Sequence, residues 1–269
     1  ETWALVVAVF AALTVAFGVN YWQHAIHANP HIVTAAFLSA NLFFLTRWAA
    51  RGAANPRWLF AFAFSAGLGI THHPLTAISL PAYALFILVV RPSIWREWRT
   101  LISAAALGLL GLAVWLYFPI RSPMEPAFGP STMNTLNGFL DHVLARGLSE
   151  SLPFFGAADI PTRGVVFWSI ARLQYSLPIL FLAVLGLAWP LLERKLAPVT
   201  TGAPAPAWKL TLLYALVFLS NYAFVMSLRA QDIMAYILGI MLIVGLLAGI
   251  GLYGLLVLTS TRLRLSATA

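Results

Sequence analysis

The sequence predicts an all-α, polytopic membrane protein. Of its 269 residues, 61% are hydrophobic and only 9% are charged, and the mean hydropathy is +0.87. This composition leaves too few polar side chains to cover a soluble globule of that size. Long apolar blocks also alternate with short charged connectors, the pattern that successive membrane-crossing helices produce. A soluble fold is therefore excluded.

We expect eight transmembrane helices, because about 20 apolar residues are needed to cross a hydrocarbon core of about 30 Å. They belong to one transmembrane domain over residues 1–269, and the Pro- and Ala-rich segment 197–206 is expected to be a linker only. The predicted helices cover residues 2–18, 31–48, 58–71, 74–90, 100–118, 165–191, 208–227 and 233–258.

Lys and Arg are concentrated on every second connector, which together hold 11 of the 16. Because short cytoplasmic loops keep Lys and Arg, these connectors are predicted to be cytoplasmic and the others external. The external segments are then residues 19–30, 72–73, 119–164 and 228–232, and a bacterial inner membrane is the expected location. The basic residues of the predicted cytoplasmic connectors are Arg47, Arg51, Arg57, Arg91, Arg96, Arg99, Arg194, Lys195, Lys209, Arg262 and Arg264.

Charge, cysteine content and motifs exclude several functional classes. The formal charge of +8 does not indicate nucleic acid, because the basic residues lie at helix ends, where anionic lipid headgroups are the expected partners. With no cysteine there is neither a disulfide nor thiolate chemistry. Gly-rich phosphate loops, zinc motifs and Ser/His/Asp triads are missing from the sequence. We therefore expect no metal and no cofactor.

The predicted third and fourth helices are short and are separated by Thr71-His72-His73-Pro74. Proline suits the first turn of a helix, so the second helix would direct its positive N-terminal end outward, where it attracts phosphate. The third helix reaches only about 21 Å, which places the two histidines below the outer headgroups. Irregular backbone at that depth requires surrounding protein or a wet cavity.

The long external loop, residues 119–164, contains a second predicted binding region. Residues 136–148 are amphipathic and are expected to form a helix lying on the outer leaflet. Arg121 and Arg163 stand at the membrane edge and could hold an anionic lipid headgroup between them. The alternative is that both arginines only extend to the interface.

Three histidines near the N-terminus have the spacing of one helical face. His24, His27 and His31 could therefore bind a metal, but Pro30 more naturally opens the next helix and separates His31 from the other two. We interpret them as interfacial or core residues.

Four further polar residues have simpler interpretations. The external carboxylates Asp141 and Asp232 are expected to be helix caps more often than bases. Asn221 and Gln174 fall at membrane depth and are predicted to need hydrogen-bonding partners.

Three stretches together resemble one known family. They are Tyr21-Trp22-Gln23-His24-Ala25 with Leu45-Thr46-Arg47-Trp48, then Gly67-Leu68-Gly69-Ile70-Thr71-His72-His73, and then Tyr117-Phe118-Pro119-Ile120-Arg121-Ser122 with Thr135-Leu136-Asn137-Gly138-Phe139-Leu140-Asp141-His142-Val143. In order and spacing they are similar to a family of polytopic proteins once known only as a domain of unknown function. That family is now placed among the GT-C glycosyltransferases and has an animal relative that is a protein O-mannosyltransferase.

The resemblance implies sugar transfer from a polyprenyl-phosphate donor to an acceptor on the external face. It assigns substrate binding to His72, His73, Arg121 and His142, and Arg163 joins them as the second arginine of the headgroup site. No cofactor is implied besides the donor substrate.

The sequence departs from the family where the family has acidic residues. Its first-loop acidic motif has no counterpart here, and Asn29-Pro30 and Phe128-Gly129-Pro130-Ser131 replace segments that contain a carboxylate in the family. We therefore expect either that a catalytic portion precedes Glu1 or that the chain is a non-catalytic subunit of a larger membrane complex. A third interpretation, a transporter, rests on the broken helix at His72 and His73. The expected partners are membrane lipids and the other proteins of such a complex.

Overall fold

The computed structural model describes residues 2–27, 29–124, 133–144, 146–147, 153–196, 207–230 and 232–268. Regular secondary structure in these ranges is entirely helical, which confirms the predicted fold class. The α-helices are α1 (Thr2–Ala16), α2 (Val19–Ala25), α3 (Pro30–Ala50), α4 (Arg57–His72), α5 (Leu80–Val90), α6 (Trp98–Leu112), α7 (Tyr117–Arg121), α8 (Leu136–Val143), α9 (Ile160–Gln174), α10 (Leu177–Leu196), α11 (Ala207–Ser227), α12 (Ile233–Tyr236) and α13 (Leu238–Thr268).

The described helices support between four and six membrane spans. Within the described residues, four helices are long and apolar enough to cross a bilayer, and the count reaches six if each of two bent helix pairs forms one span. The eight predicted spans are therefore not confirmed. The linker 197–206 and the Phe128-Gly129-Pro130-Ser131 segment lie outside the described residues.

Helix α13 forms the centre of the bundle and packs against α10, α1, α11 and α3. Its first half, with Met241 and Ile243 fully buried, is apolar on all sides, as expected of a helix surrounded by other helices. The strongest packing, between α13 and α10, depends on two glycines at the closest approach. A Cβ on Gly186 would lie 1.9 Å from the Leu247 carbonyl oxygen, and a Cβ on Gly251 would lie 1.9 Å from that of Leu182.

The two bent pairs are joined to each other at their bends. Helices α1 and α2 meet at 66°, and α9 and α10 meet at 113°. The backbone N–H of Asn20 donates a 2.8 Å hydrogen bond to Gln174 Oε1, which gives Gln174 the partner that its predicted depth required. Gly18 makes this approach possible, because a Cβ there would overlap the Gln174 side chain.

The prediction of one helix over residues 165–191 is wrong. Tyr175 adopts an extended conformation at the end of α9, and its hydroxyl donates a 3.0 Å hydrogen bond to the Met241 carbonyl. Pro178 then lies in the first turn of α10, where its missing N–H costs nothing. Arg172, Gln174 and Ser176 interrupt the apolar run here, but an average hydropathy over the whole segment does not resolve where the helix bends.

The predicted break at Thr71-His72-His73-Pro74 is confirmed. Helix α4 ends at His72, His73 is extended, and a 3₁₀-helix runs over Pro74–Ser79 before α5 begins. We expected an α-helix from residue 74 onward. Pro81 lacks the N–H that would bond to the carbonyl four residues earlier, and it therefore occupies the first turn of a new helix instead.

Candidate functional site

A cavity of about 880 Å³ lies beside the break that follows α4. This volume is within the usual range of ligand sites. Its polar groups come from the break, from α8 and from α12, whereas Trp115 and Phe224 supply apolar surface. The polar lining residues are Thr71, His72, His73, Asp141, His142, Arg146 and Tyr236.

Hydrogen bonds to the backbone determine where the two adjacent histidines carry their protons. His72 Nε2 lies 2.8 Å from the Pro30 carbonyl oxygen, and since a carbonyl oxygen only accepts, Nε2 is the protonated nitrogen. His73 Nδ1 accepts a 3.1 Å hydrogen bond from the Leu75 N–H, so its proton is on Nε2. In the neutral state His72 therefore retains an acceptor at Nδ1, and His73 retains a donor at Nε2.

His73 belongs to a cluster of three rings. Its ring centroid lies 4.7 Å from that of His31, which lies 4.3 Å from that of Tyr236. Burial, followed by the neighbouring His31 and His72, lowers the pKa of His73 to about 4. Burial and then Asp232 raise the pKa of Tyr236. The His73 and Tyr236 side chains are therefore neutral at physiological pH.

We expect the lowered pKa of His73 to make the free energy of unfolding depend on pH in the acid range. An unfolded His73 binds its proton near pH 6.5, whereas the folded one does so only near pH 4. The unfolded state thus binds more protons in between, and the free energy of unfolding should decrease as pH falls from about 6.5 to about 4. Chemical unfolding across this range should show a shallower decrease in His73→Asn; equal slopes would contradict the assignment.

Helix α8 covers one side of the cavity. Its His142 ring contacts Phe118 with centroids 4.5 Å apart, and Phe139 contacts Trp115 at 6.5 Å. These contacts hold α8 against the end of the α6–α7 segment. The helix is shorter than the predicted 136–148, and its position relative to an outer leaflet stays a prediction.

The cavity contains one described carboxylate and one described arginine, and they are paired. Arg146 Nη1 donates a 2.9 Å hydrogen bond to Asp141 Oδ1, and both side chains are more than half exposed. The predicted helix cap at Asp141 is wrong, because Asp141 lies inside α8, which Thr135 caps.

The two arginines of the predicted headgroup site occupy different surroundings. Arg121 ends α7 and is exposed, with Nη1 3.2 Å from Met124 Sδ. Arg163 lies over the Phe155 ring at 4.2 Å, and its Nε donates to the Met226 carbonyl at 3.1 Å. Neither lines the cavity, unlike His72, His73 and His142. A shared anion between these arginines stays a prediction.

One polar pair near the ring cluster was missed by sequence reasoning. Asp232 caps α12, as predicted, by accepting from the Ala235 N–H at 3.2 Å. It also lies 3.7 Å from Nε2 of His24, whose Nδ1 is 2.8 Å from the Asn20 carbonyl oxygen. More than 200 residues separate the pair in sequence, so no local pattern could reveal it.

The three N-terminal histidines lie apart, as Pro30 indicated. His24 lies beside Asp232, His27 faces the Gln23 carbonyl at 2.7 Å, and His31 is in the ring cluster. Pro30 opens α3, and Asn29 caps it by accepting from the His31 N–H. Over the described ranges, no three His, Asp or Glu side chains lie close enough to hold a metal ion.

Residues 1–96 match the family model for the N-terminal domain of the protein O-mannosyl-transferase TMEM260. The match includes two of the three stretches quoted above, and with them His72 and His73. It supports a relation to this family over 96 of the 269 residues. No curated protein and no solved structure gives a significant match.

Proposed function

We propose that the chain is part of a GT-C-type membrane glycosyltransferase that moves a sugar from a polyprenyl-phosphate donor to an acceptor hydroxyl. The observation that carries the proposal is the cavity, because it brings His72 and His73 at the end of α4 together with His142 of α8. The similarity of residues 1–96 to a protein O-mannosyltransferase domain supports the same reaction class.

In this reaction the bond between the anomeric carbon and the phosphate oxygen breaks, and a bond from that carbon to the acceptor oxygen forms. The acceptor hydroxyl must lose its proton, and the leaving phosphate gains negative charge. We assign the proton to His72 Nδ1, which is unprotonated in the neutral ring because Nε2 donates to Pro30. We assign the His73 Nε2–H as a hydrogen-bond donor to the phosphate.

The polyprenyl phosphate also requires cationic side chains at the cavity entrance. Arg146 lines the cavity but is paired with Asp141, whereas Arg121, in the described part of the chain, has only a sulfur atom as partner. Because Phe118 of the same helix contacts His142, Arg121 is the arginine that we propose for the donor phosphate.

The test is transfer of mannose from polyprenyl-phosphate mannose to a Ser- or Thr-containing acceptor peptide by the full-length protein in detergent. Arg121→Ala should lower kcat/KM about 100-fold, the loss expected when one charged contact to a leaving group is removed. Arg172→Ala is the matched control, because Arg172 is exposed on α9 and does not line the cavity.

Equal rates for Arg121→Ala and the wild type would remove Arg121 from the site. A full-length protein without transfer activity that co-purifies with a stoichiometric membrane partner would instead support the non-catalytic subunit. This second candidate is favoured by the pairing of Asp141 with Arg146, which leaves the described cavity lining without a free carboxylate.

A further inference from the structure

Two arginines converge on a single tryptophan at the end of α3 opposite to the cavity. The guanidinium carbons of Arg47 and Arg51 lie 5.6 Å and 5.7 Å from the centroid of the Trp58 ring. Both arginines are exposed, and Trp58 is half-buried. Two like charges are thus held over one ring.

Neither cation has a carboxylate partner among the residues that the structure describes. The nearby Arg91 differs, because its Nε forms a 2.7 Å ion pair with Glu97 and its Nη1 donates to the Ala53 carbonyl at 2.5 Å. The C-terminal end of α3 favours positive charge only weakly when exposed. An anion between Arg47 and Arg51 would relieve their repulsion.

The turn that joins Arg51 to α4 is held in place by the rest of the fold. Gly52 and Ala53 have positive φ values of 73° and 56°, and Ala53 is buried and bonded to Arg91. Asn55 then accepts from the Arg57 N–H and starts α4. The relative positions of Arg51 and Trp58 therefore do not depend on a free loop.

Apolar surface continues from the two cations along α3, a helix that is long and apolar enough to cross a membrane. Phe43 and Arg47 are four residues apart on one face of α3, and Arg51 follows four residues later, immediately after the helix ends at Ala50. Phe43 is 52% exposed and packs edge-on against Trp58, with centroids 5.7 Å apart. The face thus presents an apolar ring at span depth and two guanidinium groups at its end, which matches the acyl chain and the phosphate of a lipid.

We infer that Arg47, Arg51 and Trp58, with Phe43, form a binding site for an anionic glycerophospholipid of the adjacent leaflet. The phosphate lies between the two guanidinium groups, which can each donate two parallel hydrogen bonds to it. One acyl chain runs along Phe43. This site is independent of the proposed transfer reaction.

The test is native mass spectrometry of the full-length protein with phosphatidylglycerol and, separately, phosphatidylcholine of the same acyl chains. Arg47→Gln/Arg51→Gln should weaken phosphatidylglycerol binding about 30-fold, since each cation near the surface contributes about fivefold. Arg96→Gln/Arg99→Gln is the matched control. These two exposed arginines lie over Trp95 and Trp98, each over its own ring, at 4.7 Å and 5.2 Å.

The inference holds if the Arg47→Gln/Arg51→Gln variant loses phosphatidylglycerol binding and the Arg96→Gln/Arg99→Gln variant retains it. Equal losses in both pairs would show only general attraction to a basic surface, and unchanged binding in the first pair would remove the site. Equal binding of phosphatidylcholine by the wild type would also overturn it. Should the double variant fail to fold, wild-type binding of phosphatidylglycerol at raised ionic strength decides, because a site held by two cations must weaken.

Discussion

Replacing Gly251 with alanine is expected to lower the free energy of unfolding by about 3 kcal/mol, the upper part of the usual range for overpacking. The new Cβ would lie 1.9 Å from the Leu182 carbonyl oxygen, which is backbone of α10 and cannot rotate away. Helices α10 and α13 would have to separate along their whole contact, and that contact includes the buried first half of α13. Helix pairs in membranes rely on such small residues for close packing.

Thermal or chemical unfolding in detergent, followed by circular dichroism, measures the effect. Gly164→Ala is the control, because this α9 glycine has no atom within 4 Å of the added Cβ. It should unfold like the wild type or gain up to about 1 kcal/mol from helix propensity. If Gly251→Ala is as stable as Gly164→Ala, α10 and α13 do not pack as closely as the structure describes.

Replacement of His73 is expected to lower transfer as strongly as replacement of Arg121. Both His73→Asn and His73→Phe remove the Nε2–H donor that we assign to the leaving phosphate, and each should reduce kcat/KM about 100-fold. The two variants differ in stability. Asparagine can still accept from the Leu75 N–H, whereas phenylalanine leaves this donor without its 3.1 Å bond and should cost about 1 kcal/mol.

The comparison separates a role in the site from a role in the fold. Transfer by His73→Asn at the wild-type rate would show that His73 only caps the 3₁₀-helix. His27→Phe is the control, since His27 is exposed and does not line the cavity. Its rate and unfolding should match those of the wild type.

Local chemistry in the sequence predicted the features that depend on neighbouring residues. Proline at position 30 indicated the start of α3, and the His-His-Pro run indicated the end of α4. Asn221 was expected to need a partner at membrane depth, and it donates to Ser79 Oγ and to the Val217 carbonyl, both at 2.8 Å.

Features that depend on distant residues could not be predicted. The bend at Tyr175 is held by its bond to Met241, and the His24–Asp232 pair joins opposite ends of the chain. Tyr236 enters the ring cluster only because α12 ends beside His31. No neighbouring residues signal these long-range contacts, so this part of the site was missed.

The junction between Asn20 and Gln174 sets an order for biosynthesis. The Asn20 N–H lies in the first turn of α2, where the helix itself offers it no acceptor, and its acceptor is 154 residues further along the chain. A ribosome adds about 5–20 residues per second. The Asn20 N–H is therefore without its Gln174 acceptor for many seconds after Asn20 has been synthesised. During that interval α1 and α2 lack this contact, so their final packing at the bend follows the synthesis of α9.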